Sequence, residues 1–308
     1  MIKSILLIIL GFVLLVKGAD FLVDGASGIA KKFGIPSIIV GLTIVSIGTS
    51  MPELFVSTNA ALKDLSDMSL GNAIGSNLCN LLLILGLSAL IKPVVFQEST
   101  IKADVPFSIM VTSLLLLFGN TGFIINFWEA LIFMLLFFGY NIYNAINALK
   151  QKDKHKEKDN ISMLKCVLYV ILGIVALKFG GDFTVDNATI IAKHFNVSDK
   201  IIGLTILAVG TSLPELFTSV TAAIKGNSDI AIGNVIGSNI FNILLILGSS
   251  ALLRPITYNI TYNNQIIILI ISTLMLFAFY NIKPKKVMGR VAGLCYLTIY
   301  IVYMISLF

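Results

Sequence analysis

The chain has 308 residues, 57% of them hydrophobic and only 12% charged, with a formal net charge of +6 and a mean hydropathy of +0.95. A soluble domain carries about twice that share of charge, which excludes a soluble enzyme or binding module. Apolar runs of about 20 residues indicate a polytopic membrane protein; they are continuous rather than alternating, which argues against a β-barrel.

Hydropathy predicts ten transmembrane helices, at about 3–18, 36–62, 69–91, 104–119, 123–148, 164–180, 198–224, 230–252, 263–282 and 289–307. The first starts after Lys3 and imitates a signal peptide, but it leads into Lys17, Gly18, Ala19 and Asp20 with no clean cleavage site, so it reads as a span. Amphipathic segments 19–33 and 181–195 follow the first and sixth spans. They either prolong those helices or lie in the membrane interface.

The second span carries Gly48-Thr49-Ser50-Met51-Pro52-Glu53 within an apolar run. A carboxylate at membrane depth is a functional signal, because it is costly without a partner or a polar cavity. Pro52 has no N–H and removes the helical partner of the Gly48 carbonyl. Thr49 and Glu53, four apart, are expected on one helix face. The third span carries Gly71-Asn72-Ala73-Ile74-Gly75-Ser76-Asn77-Leu78-Cys79-Asn80, whose glycine spacing suits helix packing. Packing does not require Asn72, Ser76 and Asn80, which fall on one polar stripe and are expected to line a cation site.

Both motifs return 162 residues later, as Gly210-Thr211-Ser212-Leu213-Pro214-Glu215 and as Gly233-Asn234 through Gly237-Ser238-Asn239 to Asn242. Residues 41–93 align with 203–255 without a gap, about three positions in five being identical. The expected organisation is a first five-helix repeat at 1–149, a solvated linker at 150–162 and a second repeat at 163–308. Five is an odd number, so the second copy enters the membrane from the opposite side. That is an inverted repeat with its site between the halves.

Lys31, Lys32, Lys92, Lys102, Lys225, Lys283 and the lysines of 150–160 fall on one side, against Lys3, Lys63, Lys193, Lys200 and Arg254 on the other. The richer side is expected to be cytoplasmic and both termini outside. With the basic residues in loops, the net charge gives no nucleic-acid partner. Asp20, Asp24, Asp182 and Asp186 lie near span ends beside Lys17 and Lys178, and read as caps or surface ion pairs. Cys79, Cys166 and Cys295 have no metal spacing and read as buried small apolar residues.

Two converging carboxylates without a nearby base would not both stay ionised. One Ca²⁺, bound Na⁺ ions or protons would balance them. Ca²⁺ takes six to eight oxygens in flexible geometry, which Glu53, Glu215, Thr49, Thr211 and loosened carbonyls could supply. No resident cofactor is expected, only transported ions. Enzymatic function is not expected: there is no HExxH motif, and His155 and His194 lie in polar segments.

The paired GTSxPE and GNxxGSN motifs resemble the two alpha-repeats of the sodium/calcium exchangers, closest to the compact prokaryotic type, over essentially the whole chain. The resemblance implies an all-α antiporter of Na⁺ and Ca²⁺, functional as a monomer in the cell membrane, with broken helices 2, 3, 7 and 8 around the cations. It implies Glu53, Glu215, Thr49 and Thr211 around Ca²⁺. It adds Ser50, Ser76, Ser212, Ser238 and Asn80 for Na⁺, with carbonyls at Ser46 and Ala208. Helices one and six would slide across a rigid core. Some relatives carry Asp where this chain has Asn242, so the core here has two formal negative charges. Proton-coupled antiport and a channel stay open as alternatives.

Overall fold

The computed structural model describes residues 2–151, 162–195, 208–282 and 285–306. Its helices are α1 (Ile2–Phe33), α2 (Ser37–Thr49), α3 (Met51–Leu62), α4 (Ser66–Ile91), α5 (Thr100–Asn120), α6 (Phe127–Gln151), α7 (Met163–His194), α8 (Leu213–Ile224), α9 (Ser228–Leu253), α10 (Tyr262–Asn281) and α11 (Arg290–Ser306). One further turn lies at Ala208–Gly210. Seven of these are long and apolar enough to cross a membrane, and eight if the bent pair α2 and α3 is one span. Large apolar side chains cover the outside, among them Leu6, Trp128, Leu135, Leu164 and Ile305. Such a surface suits lipid, not water; the chain is a multi-pass membrane protein.

The segments after the first and sixth spans prolong their helices. α1 and α7 each run for 32 residues, about 48 Å at 1.5 Å per residue, so they cross a ~30 Å hydrocarbon core at a tilt. They are held by each other. Gly11 meets the carbonyl of Gly180, and Gly18 meets the carbonyl of Gly173, so the helices cross antiparallel at backbone contact. A Cβ on Gly173 would stand 2.6 Å from the Leu22 nitrogen and 2.8 Å from the Gly18 oxygen. Leu15, Ala19, Leu22, Val23 and Ala26 extend the buried face, at the spacing of a helical stripe.

α4 and α9 form the centre, and 94% of the most apolar stretch of α9 is buried. These two were expected to be broken and are not. Each runs through a stretch of wider π-type turns, Cys79–Ile84 and Asn242–Leu247, which absorbs one extra residue without ending the helix. The real break is at Ser50 (φ −86°, ψ 8°), where α2 and α3 meet at 50°. Pro52 sits in the first turn of α3, where its missing N–H costs nothing. α8 begins the same way, with Pro214 after Ser212. The first part of the expected seventh span, the linker's 152–161 and the backbone at 201–207 lie outside the described residues.

Among the described residues, four two-residue strands form two antiparallel ribbons. β1 (Val94–Val95) pairs with β4 (Val287–Met288), and β2 (Ile124–Ile125) with β3 (Ile256–Thr257). Each ribbon takes one strand from either side of the linker. α3 and α8 start and end 162 residues apart, the offset of the sequence repeat. Cys79 and Cys166 are buried as expected, but Cys295 is exposed, because it stands beside Val291 and Leu294 on the outward face of α11.

Candidate cation site

Glu53 and Glu215 sit in the first turns of α3 and α8, directly after the two breaks. Their exposures are 1% and 0%. Each receives a serine from the other half. The Ser50 hydroxyl donates to Glu215 Oε1 at 2.9 Å and lies 2.9 Å from Ser238 Oγ. The Ser212 hydroxyl reaches Glu53 Oε1 at 3.5 Å, and Ser238 reaches Glu215 Oε1 at 3.5 Å. The two carboxylates therefore converge at the seam between the repeats. Among the described residues no lysine or arginine pairs with either.

The second carboxylate oxygens, Glu53 Oε2 and Glu215 Oε2, are buried without a hydrogen-bond partner, as are Ser76 Oγ, Asn80 Oδ1 and Asn242 Oδ1. A buried polar atom without a partner costs about 1–3 kcal/mol and a charged one more. These five oxygens, on residues of both halves, are of the hard type that Na⁺ and Ca²⁺ take as ligands. Ser46 is buried and its carbonyl accepts from Thr49 at 3.3 Å. Of Ala208 only the backbone, in the turn before Thr211, is described.

Thr49 and Glu53, expected on one helix, stand on either side of the bend at Ser50, at the end of α2 and in the first turn of α3. Thr49 donates to Asn234 Oδ1 of the other half at 2.9 Å, and Thr211 reaches Asn72 Oδ1 at 3.4 Å. Asn72 differs from Ser76 Oγ and Asn80 Oδ1 on its stripe in having hydrogen-bond partners. Its amide donates to the Glu53 carbonyl at 3.2 Å and to Ser57 Oγ at 2.9 Å. Asn234 does the same with the Glu215 carbonyl at 3.4 Å and Ser219 Oγ at 2.9 Å.

These asparagines, with Ser57 and Ser219, tie each glutamate's backbone to the opposite half's threonine. Asn77 and Asn239 were also overlooked. Each amide donates to the other's carbonyl, at 3.1 and 3.2 Å, which stitches α4 to α9. Asn242 donates to Asn77 Oδ1 at 2.9 Å. The signal available in the sequence was that every one of these residues recurs at the same offset.

Asn234→Ala should weaken Ca²⁺ binding about tenfold, because it removes one buried hydrogen-bond partner each from Thr49, Ser219 and the Glu215 carbonyl. Calorimetric titration checks this against Asn59→Ala. The Asn59 amide is exposed and bonds only within its own helix, so that variant should bind like the parent.

The sequence profile of the sodium/calcium exchanger protein family matches residues 3–145 and 165–308. The chain belongs to the sodium/calcium exchanger family. Within it, the chain is 31% identical to the sodium/calcium exchanger MaX1 of Methanosarcina acetivorans over 99% of this chain and 98% of that one. It is 36% identical to the inner membrane protein YrbG of Escherichia coli, with 89% of each covered. A solved structure of the sodium-calcium exchanger NCX_Mj, soaked with Na⁺ and Ca²⁺, superposes with a TM-score of 0.89 at 33% identity, over 100% of this chain and 99% of that one. In this family member the two glutamates and their hydroxyl partners occupy the seam between the matched segments.

Proposed function

We propose that this exchanger moves Ca²⁺ outward against Na⁺ by alternating access, as a single chain of ten spans in two inverted repeats, 1–149 and 163–308, joined by the linker 150–162. Exchange of Na⁺ for Ca²⁺ is the activity of its family and of its relatives MaX1 and NCX_Mj by name. The observation that carries the reading is the pair of fully buried, base-free carboxylates, each met by a serine of the other half. Two negative charges at membrane depth need two positive charges. One Ca²⁺ supplies them, and so do Na⁺ ions, which makes the two species alternatives at one site. Because both halves contribute oxygens, one chain completes the site.

The test is ⁴⁵Ca²⁺ uptake into proteoliposomes, first with an outward Na⁺ gradient and then with a pH gradient alone. Uptake is expected only with Na⁺. Uptake driven by the pH gradient would favour proton coupling, and stepwise single-channel currents would favour a channel.

The orientation rests on the lysine asymmetry. A cysteine replacing His155 should be labelled by an impermeant thiol reagent only after the cytoplasmic face is exposed. Labelling from outside on intact cells would invert the assignment.

A further inference from the structure

Lys225, between α8 and α9, bridges to α1. Its Nζ lies 2.7 Å from Asp24 Oδ1 and 3.1 Å from Asp20 Oδ1, and donates to the Asp20 carbonyl at 3.3 Å. The same offset of 162 gives each member a counterpart: Lys63, between α3 and α4, and Asp182 and Asp186 on α7. Among the described residues the counterparts are not joined. Lys63 and Asp186 are exposed, and Asp182 is held at 2.6 Å by Lys178 of its own helix.

The apolar packing is lopsided in the same sense. α1 packs along α8, which α7 also touches, whereas α3 has almost no contact with either long helix. Phe217 of α8 packs on Phe12 of α1 with ring centroids 6.0 Å apart, while Phe55, its counterpart on α3, is 54% exposed. Two halves with about three residues in five identical over 41–93 and 203–255 are thus packed differently. A protein of this kind has a second arrangement in which the halves exchange roles.

We propose that Lys225 with Asp20 and Asp24 is one position of a two-position ionic latch, and Lys63 with Asp182 and Asp186 is the other, the two closing alternately as α1 and α7 shift from α8 to α3. This rests on the alternating-access reading. The strength is suited to the task. The three side chains are 30–53% exposed, so two such pairs bias an equilibrium by about three- to tenfold rather than locking it. A latch of that strength opens in every cycle. Burial alone would lower the Lys225 pKa, but the hydrogen bonds it donates to Asp24 and Asp20 more than offset it and hold the ammonium above the usual lysine range. The latch therefore responds to salt and to helix position, not to physiological pH.

Two cysteine pairs read the two positions: Asp24→Cys with Lys225→Cys, and Asp186→Cys with Lys63→Cys, each with Cys295→Ser. A short thiol-bridging reagent is applied in proteoliposomes. The 24/225 pair should bridge readily and the 186/63 pair slowly. Lys225→Gln, added to the 186/63 protein, should speed its bridging about three- to tenfold. Asp186→Asn with Lys63→Gln, added to the 24/225 protein, should speed that one. An unchanged 186/63 rate after Lys225→Gln overturns the latch. So does a four-cysteine protein in which both bridges form in one molecule. Na⁺-driven ⁴⁵Ca²⁺ flux of the parent is measured alongside. Its absence would sink the exchange reading while leaving the bridging rates to decide the latch.

Discussion

Glu53→Gln and Glu215→Gln should each lower Ca²⁺ affinity a hundredfold or more and abolish Na⁺-driven Ca²⁺ flux. Glutamine keeps the size of the side chain and an oxygen to accept from Ser50 or Ser212, so the change isolates one charge. Removing one partner from a buried charge arrangement costs roughly 3–5 kcal/mol, and every 1.4 kcal/mol is about tenfold in affinity. The remaining carboxylate can still be balanced by a monovalent ion, so Na⁺ binding should fall less than Ca²⁺ binding. The breaks at Ser50 and Ser212 come from Pro52 and Pro214 and should persist, keeping fold and expression. Calorimetry with Ca²⁺ and then Na⁺ on the purified variants, beside ⁴⁵Ca²⁺ flux, measures this. A variant that binds and exchanges Ca²⁺ like the parent would mean that the paired carboxylates are not the site.

Gly173→Ala should have the next largest effect. The new methyl group would meet backbone on two sides, the Leu22 nitrogen and the Gly18 carbonyl, and not the yielding end of a side chain. Overpacking of this kind costs about 1–3 kcal/mol. Here α1 and α7 must separate at their closest crossing to admit it. The expected results are a clear drop in thermal stability in detergent and at least a tenfold loss of flux. Gly139→Ala is the control. Among the described residues nothing lies within 4 Å of its added Cβ, so it should be neutral or gain slightly from the better helix former. Equal melting of the two variants would show that the α1–α7 contact has more room than its geometry indicates.

Much of this was legible in the sequence, and the reasons are physical. Glu53 stood out because a carboxylate in an apolar run is expensive, and Pro52 because it cannot continue a helix; the structure has the carboxylate buried and the chain bent at Ser50. The extent of α1 was not decided. Its stripe of Ala19, Leu22, Val23 and Ala26 is compatible with a membrane interface or with a partner helix, and only the crossing with α7 selects the second. Asn72 is a related case. Position on a helix face says which residues point the same way, not which backbone stands opposite, and its partner, the Glu53 carbonyl, is 19 residues away across a turn. The π-type turns in α4 and α9 left no mark, because the apolar residues within them are those of any buried helix.

The two ribbons carry a consequence for how the protein is made. Val94 of β1 finds its partner only at Met288, near the end of the chain, and Ile124 of β2 waits for Thr257. At roughly 5–20 residues per second of synthesis, the edge of β1 stays open for on the order of 10–40 s after it leaves the ribosome. Until β3 is made neither strand of the first half has a partner, and until α8 is made the buried Glu53 lacks the serine of the half it faces. Unpaired edges and exposed polar groups are what quality-control machinery and aggregation act upon. A nascent chain that stalls before β4 is therefore marked as incomplete at one end of the bundle, although most of its membrane spans are already in place.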